Sequence, residues 1–214
     1  ETAGKSRVDD YFFITKSVSK YKYTRNGLIG KNYSSKFSSW LANGSLSAKY
    51  IYNKLIKYEN DVEKNESTYW LFFELLWRDF FKYVSMQHRN KFFSKDGIYG
   101  HEKEWSLENS KIKSWINGDT NESFVNANMR ELSSTGFMSN RGRQNVANYL
   151  TKELKVDWRI GAEYFEALLL DYDVHSNYGN WLYNAGIGND SMPFRKFNPT
   201  LQSERYDPNK DYEN

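Results

Sequence analysis

This chain contains no cysteine, and proline occurs only at Pro193, Pro199 and Pro208. The first absence removes disulfides, thiolate metal sites and thiol nucleophiles together, and it fits a reducing compartment, expected here to be cytoplasmic. The second leaves everything before residue 193 free of the strongest helix breaker, which predicts an all-α body. Histidine is scarce as well. His88, His101 and His175 are scattered, with no pair four residues apart on a helix, so no metal site of the zinc type is expected. The longest strongly apolar run, residues 69–77, is interrupted by Glu74 and falls far short of the roughly 20 residues a membrane span needs. No signal peptide is visible at the N-terminus. Charge of one sign is lacking too: 30 basic against 27 acidic residues leave +3, a mild bias, so any DNA contact must come from local clustering.

Aromatic residues are what the chain has in excess, with 7 Trp, 17 Tyr and 14 Phe making up 18% of 214 residues. They fill cores, and they also stack on flavins, bases and one another. The length supports one sizeable core and favours a single domain over 1–214, with an irregular tail from 193. Within 47–62, Tyr50, Leu55, Ile56 and Tyr58 recur near helical spacing, with Ser47 as N-cap. Residues 67–87 are apolar almost all round, the pattern of a buried helix. Segments 106–117 and 123–135 each run into a glycine, Gly118 and Gly136, placed as C-terminal caps. Another helix is predicted over 139–154, and Asp157 is placed to cap the next one, through Leu170. Charged residues 59–66 read as a solvated loop, and the Pro-bearing end as irregular surface chain.

Several groups of residues could carry chemistry. Residues 33–39, YSSKFSS, cluster hydroxyls before an apolar run. Serines at a helix start offer hydroxyls and unpaired N–H groups to an anion, although an N-cap plus turn is the plainer reading of the local sequence. Glu74, Trp77, Arg78 and Phe81 share one helical face, where spacing alone favours a Glu74 to Arg78 ion pair beside core aromatics. Asn140, Arg141, Arg143 and Gln144 open a helix, with Asn140 and Gln144 on one face. Asp171, Asp173 and Asn177 imitate an oxygen-ligand loop but lack the Gly and terminal Glu of an EF-hand. Trp105, Trp158 and Trp181, taken singly, read as core aromatics.

Five stretches carry a family resemblance: YKYTRNGLIGKNYSSKFSSWLANGSLS (21–47), FELLWRDFF (73–81), NMRELSSTGFMSNRGRQ (128–144), DWRIGAEYF (157–165) and LLLDYDVHSNYGNW (168–181). In content and order they resemble the flavin-binding half of the photolyase and cryptochrome family, most closely its DASH cryptochromes. The resemblance implies an all-helical FAD-binding domain without the α/β antenna domain, where a folate would sit, and without the last helices. The chain is therefore expected to be a monomeric piece of a longer protein. It implies that the serine cluster, through Ser34, Ser35, Lys36, Phe37 and Ser38, grips the flavin pyrophosphate and that Tyr21 lies against the cofactor. Arg143 is implied to pair with Asp171, Asp171 and Asp173 to face the flavin's polar edge and ribityl chain, and Asn177 to reach ring nitrogen N5; Glu74, Arg78 and Asn140 join the cofactor set.

The same resemblance implies a pocket for a flipped pyrimidine dimer. Glu74 would bond the dimer and Trp77 stack on it, with Arg78, Phe81, Asn140, Gln144, Tyr183 and Gln202 around them and Arg141 on DNA phosphate. Gln144 and Tyr183 stand where many classical photolyases have Met and Trp, which points to single-stranded DNA. Trp105, Trp158 and Trp181 match the family's electron chain from surface to flavin. The implied activity is light-driven splitting of cyclobutane pyrimidine dimers by reduced FAD. A photoreceptor using the same flavin, a cofactor-free nucleic-acid module, and a piece that binds FAD weakly are the competing readings.

Overall fold

The computed structural model describes residues 1–214 and is helical throughout, its one strand-like contact being an isolated parallel bridge between Ser106 and Val156. The chain divides into two compact units, Glu1–Phe80 and Phe81–Asn214. No helix is long and apolar enough to cross a membrane.

In the first unit, α1 (Thr2–Asp9) runs on into a π-helical turn over Asp10–Ile14. A 3-10 turn at Ser17–Lys20 leads into α2 (Tyr21–Thr24), followed by α3 (Ser38–Ala42), α4 (Ala48–Asp61) and the beginning of α5 (Glu66–His88). The core is aromatic: Phe37 meets Tyr11 and Phe12 edge-on at 5.8 and 5.9 Å between ring centroids. Such edge contacts add roughly 0.5–1.5 kcal/mol each beyond the area they bury. Ser47 caps α4 as its sequence predicts, accepting from the Tyr50 N–H at 3.1 Å. The loop expected over 59–66 is shorter than that. Tyr58 is fully buried against Phe12 and Lys57 pairs with Asp61, so α4 is held helical through Asp61, and α5 already begins at Glu66.

A second correction concerns α5. Leu71, Phe81 and Val84 are buried, but Tyr69, Leu76, Phe80 and Tyr83 form an exposed apolar stripe, so the helix is not covered all round.

The second unit adds a 3-10 turn at Arg89–Phe93, α6 (Asn109–Asn117), α7 (Ser123–Thr135), α8 (Asn140–Asn148) with a π-helical turn over Tyr149–Glu153, α9 (Trp158–Leu168), α10 (Val174–Ala185) and α11 (Pro199–Tyr206). Gly118 and Gly136 end α6 and α7 in the left-handed conformation, at φ 61° and 68°. Asp157 caps α9 through the Arg159 N–H at 3.0 Å. Ser106 belongs to the bridge with Val156, its N–H donating to Lys155, which delays α6 to Asn109. The tail expected to be irregular contains α11. Asn198 caps it and Pro199 occupies its first turn, where a missing N–H costs nothing.

Candidate functional site

In the first unit the serine cluster is held from behind. Arg7, 6% exposed, donates to the carbonyls of Lys31, Ser34 and Ser35 at 3.1, 3.3 and 3.1 Å, to Asn32 Oδ1 at 2.9 Å, and to Asp10 at 2.6 Å. A trans peptide points its C=O and the next N–H in opposite directions. The N–H groups of Asn32, Ser35 and Lys36 are therefore turned away from Arg7. Lys36 is left-handed at φ 60° and Phe37 right-handed, a succession whose N–H groups form a concavity suited to an anion. Lys36 reaches back over the Tyr33 ring, Phe37 anchors the loop in the core, and Ser38 opens the short α3. The expected cap at this helix is absent, because the residue in cap position is Phe37.

Tyr21 and Glu74 meet in the same unit. Glu74 pairs with Arg25, whose guanidinium also stacks 5.0 Å above the Trp70 ring. Spacing pointed to Arg78 as the partner; the structure supplies Arg25 from 49 residues away. Burial raises the Glu74 pKa above the usual carboxylate range, with Arg25 opposing it. Burial likewise raises Tyr21, which lies within reach of both charges. The main chain of α2 is tied to α5 by the Lys22 N–H on Ser67 Oγ at 3.1 Å. Trp77 lies edge-on between Phe73 and Phe80.

In the second unit, Arg143 and Asp171 form the pair expected of them. One guanidinium nitrogen donates to both carboxylate oxygens at 2.9 Å, another to the Met138 carbonyl, and the Asp171 side chain is almost wholly buried. Ser139 caps α8 by accepting from the Gly142 N–H. Glycine is required at 142, since a Cβ there would sit 1.9 Å from Asn128 Oδ1. Asn140 stands exposed at the helix start, while Arg141 bonds Gln144 at 3.0 Å and lies 4.8 Å over the Tyr206 ring. Gln202 accepts from Asn145. Tyr183 accepts from Arg195 at 2.8 Å, and Arg195 pairs with Asp190.

Asp173 caps α10 through the Ser176 N–H. Asn177, buried on the same helix, donates to the Ala162 carbonyl at 3.0 Å, so its amide is fixed in orientation. Phe81, expected in the DNA-facing set, packs inside the second unit. It is 4% exposed and lies where a Cβ on Gly179 would have to go, 2.3 Å from its ring.

The three tryptophans are joined by α9. Trp105 and Trp158 both donate their indole N–H to the Lys95 carbonyl, at 3.1 and 3.2 Å, which keeps the two ring nitrogens within two hydrogen-bond lengths. One turn after Trp158, Gly161 makes room for Trp181, whose six-membered ring lies 2.2 Å from the position of a Cβ. Trp105 is partly exposed and the other two are buried. Trp115, which local sequence did not mark out, meets Trp181 edge-on at 6.1 Å.

Two other possibilities are weak on geometry. Ser85 and His175 approach at 2.7 Å, but Ser85 Oγ is shared with the Lys82 carbonyl at 2.8 Å and no third group orients the imidazole as a catalytic triad would. No group of three or more His, Asp or Glu is placed to hold a metal.

These features fit what comparison with known proteins finds. The family described as the FAD binding domain of DNA photolyase matches residues 70–214. The chain belongs to the photolyase and cryptochrome family and lies in its flavin-binding region. Its relatives place it with the DASH type: it is 54% identical to the cryptochrome DASH of Danio rerio and 53% to that of Synechocystis, each over 99% of this chain and 41% or 43% of theirs. The crystal structure of the Synechocystis cryptochrome superposes with a TM-score of 0.97 at 52% identity, over 99% of this chain and 44% of that one. A class III photolyase from Agrobacterium tumefaciens gives 0.89 at 30%, over 99% and 43%. The chain thus spans about two fifths of the length of the curated relatives it matches.

Proposed function

We propose that this chain binds FAD and that, in a protein of its relatives' length, it serves light-driven repair of cyclobutane pyrimidine dimers in single-stranded DNA. The observation that carries the cofactor reading is the Arg7-clamped loop. Three carbonyls are drawn to one side, leaving N–H groups and the hydroxyls of Ser34, Ser35 and Ser38 as a donor set suited to a pyrophosphate, with the charge of Lys36, held on Tyr33, beside them. Asp171 and Asp173 are acceptors for sugar hydroxyls and a ring N–H, and the Asn177 amide is neutral where a charge would fix one protonation state. When bound and reduced, FAD supplies a light-excited one-electron donor.

The remaining tasks belong to side chains. Glu74, kept by burial closer to its protonated form, can bond the polar edge of a pyrimidine, and Trp77 offers a π-face for it. Arg141 contributes charge for a phosphate. Trp181, Trp158 and Trp105 pass electrons inward from the surface. We infer single-stranded DNA as the partner because Gln144 and Tyr183 stand where many classical photolyases carry Met and Trp.

The test has two stages. FAD should raise the melting temperature, with about 2.7 kcal/mol of stabilisation expected at 100 times its dissociation constant. Riboflavin, which has no phosphates, should do less. No shift at millimolar FAD in folded protein would sink the cofactor reading. Flavin-loaded, chemically reduced protein should then split thymine dimers in a single-stranded oligonucleotide under blue light. Bound flavin with intact dimers would leave the photoreceptor reading in its place.

A further inference from the structure

Beside the middle tryptophan lies a tyrosine that none of these roles uses. Tyr178 meets Trp158 edge-on at 6.0 Å between centroids, and its hydroxyl donates to Glu166 Oε2 at 3.1 Å. The phenol is buried, whereas Glu166 is exposed on α9. On its other side Tyr178 meets Phe93, a ring that is hard to oxidise, at 4.9 Å.

We propose that Tyr178, with Glu166 as its proton acceptor, is a redox-active side station on the tryptophan relay. The proposal rests on the relay reading above. In the step, an electron leaves the Tyr178 ring for the oxidised indole of Trp158 while the phenolic O–H bond breaks and a new O–H bond forms on the Glu166 carboxylate. The products are neutral Trp158, a neutral Tyr178 phenoxyl radical and protonated Glu166, so charge and electrons balance. The oxidant is the Trp158 radical cation.

Three observations favour this step. The Trp158 N–H donates to a backbone carbonyl, and the residue is fully buried, so its radical cation has no base to take that proton and remains a strong oxidant. An oxidised phenol is a strong acid, and Tyr178 is already hydrogen-bonded to a carboxylate that can receive its proton. That carboxylate faces solvent and can pass the proton on, after which the electron cannot return without it. At rest the phenol stays protonated, because burial first and Glu166 second push its pKa up to about 12. Tyr172 also bonds Glu166 and competes for it, which makes it the natural control.

Flash-quench oxidation of the purified chain with a soluble ruthenium tris-bipyridine photo-oxidant tests the step without flavin. Trp105, partly exposed, is the entry point to the relay, and a Trp105→Phe background marks the share of the signal that enters elsewhere. Transient absorption should show an indole radical cation decaying as a tyrosyl radical grows, more slowly in deuterium oxide. Tyr178→Phe keeps the ring and should lengthen the indole signal severalfold, removing that share of the tyrosyl signal that wild type shows in excess. Glu166→Gln keeps a hydrogen-bond acceptor but not the base, and should slow the transfer. Tyr172→Phe removes the competitor for the carboxylate and should leave the transfer intact or make it faster, and a loss of transfer in that variant would count against Tyr178 as the donor. Equal indole decay in wild type and Tyr178→Phe, or transfer unaltered by Glu166→Gln, would overturn the proposal. Failure of the flavin reading would be seen separately, in the melting experiment with FAD.

Discussion

Replacing Gly161 by alanine should destabilise the second unit through a single ring. The new Cβ would lie 2.2 and 2.6 Å from Cη2 and Cζ3 of Trp181 and 2.7 Å from Leu150 Cδ2. The indole has nowhere to move, since it is 2% exposed with Phe165 and Trp115 at 5.1 and 6.1 Å. Alanine gains up to about 1 kcal/mol of helix propensity over glycine. Overpacking a dense core costs about 1–3 kcal/mol and sometimes more. With three approaches far inside van der Waals contact, the upper end applies, and a net loss of about 2 kcal/mol is expected. That corresponds to a fall in melting temperature of roughly 4–8 °C for a chain of this size. Trp181→Phe removes the part of the indole that the Cβ meets. On that background Gly161→Ala should be neutral or slightly stabilising, a coupling of about 2 kcal/mol within the range for residues in contact. Urea titrations of the four proteins, with unchanged slope, give the cycle. Equal losses on both backgrounds would refute the reasoning.

Arg7→Ala should cost roughly 3 kcal/mol or more, as expected when one partner of a buried charged network is removed; limited trypsin cleavage at Lys31 and Lys36 should accelerate, and an unchanged cleavage pattern would show that the loop does not depend on Arg7. Asp171→Asn leaves Arg143 without its anion and should cost about 3–5 kcal/mol, much of it recovered by the paired change Arg143→Met with Asp171→Leu; equal melting of single and double variants would count against the pair. Lys152 and Lys103 both donate to the Ala185 carbonyl, and burial together with the neighbouring ammonium pulls Lys152 down to about 8. The folded protein thus releases this proton near pH 8 while the unfolded chain keeps it toward 10.5, so stability from this group rises across that window. Lys103→Met should flatten the rise measured from pH 8 until the tyrosines titrate; an unaltered slope would rule out the coupling.

What the sequence made legible was mostly local. Ser47, Asp157, Gly118 and Gly136 could be placed because a cap depends on residues three or four positions away, and the all-helical class followed from where proline is not. The Arg143 and Asp171 pair, 28 residues apart, came only from family resemblance. Arg7 and Arg25 were missed because the loop carbonyls that Arg7 holds and the carboxylate that Arg25 meets lie 24 to 49 residues away, and nothing near them in the chain marks those partners. For Glu74 helical spacing offered a neighbour in Arg78, and a more distant guanidinium took the carboxylate. α11 was hidden by reading Pro199 as a breaker when it stands in the first turn. The stripe on α5 shows the limit of hydrophobic pattern, which marks what a helix can bury and not how much of it is covered.

One backbone oxygen gives the proposed relay an unusual dependence on sequence. The Lys95 carbonyl receives both the Trp105 and Trp158 indoles, so their mutual orientation is set by main chain, to which any side chain at 95 is indifferent. The turn that presents this oxygen closes with the Gly97 N–H on the Ser94 carbonyl, and Gly97 is left-handed with Ile187 where a Cβ would stand. A mutational scan should therefore find position 95 freely replaceable and position 97 almost immutable. Substitution at the first would leave the pairing of the two indoles in place and substitution at the second would break it, so variation at the aromatic positions alone understates where the proposed relay can fail.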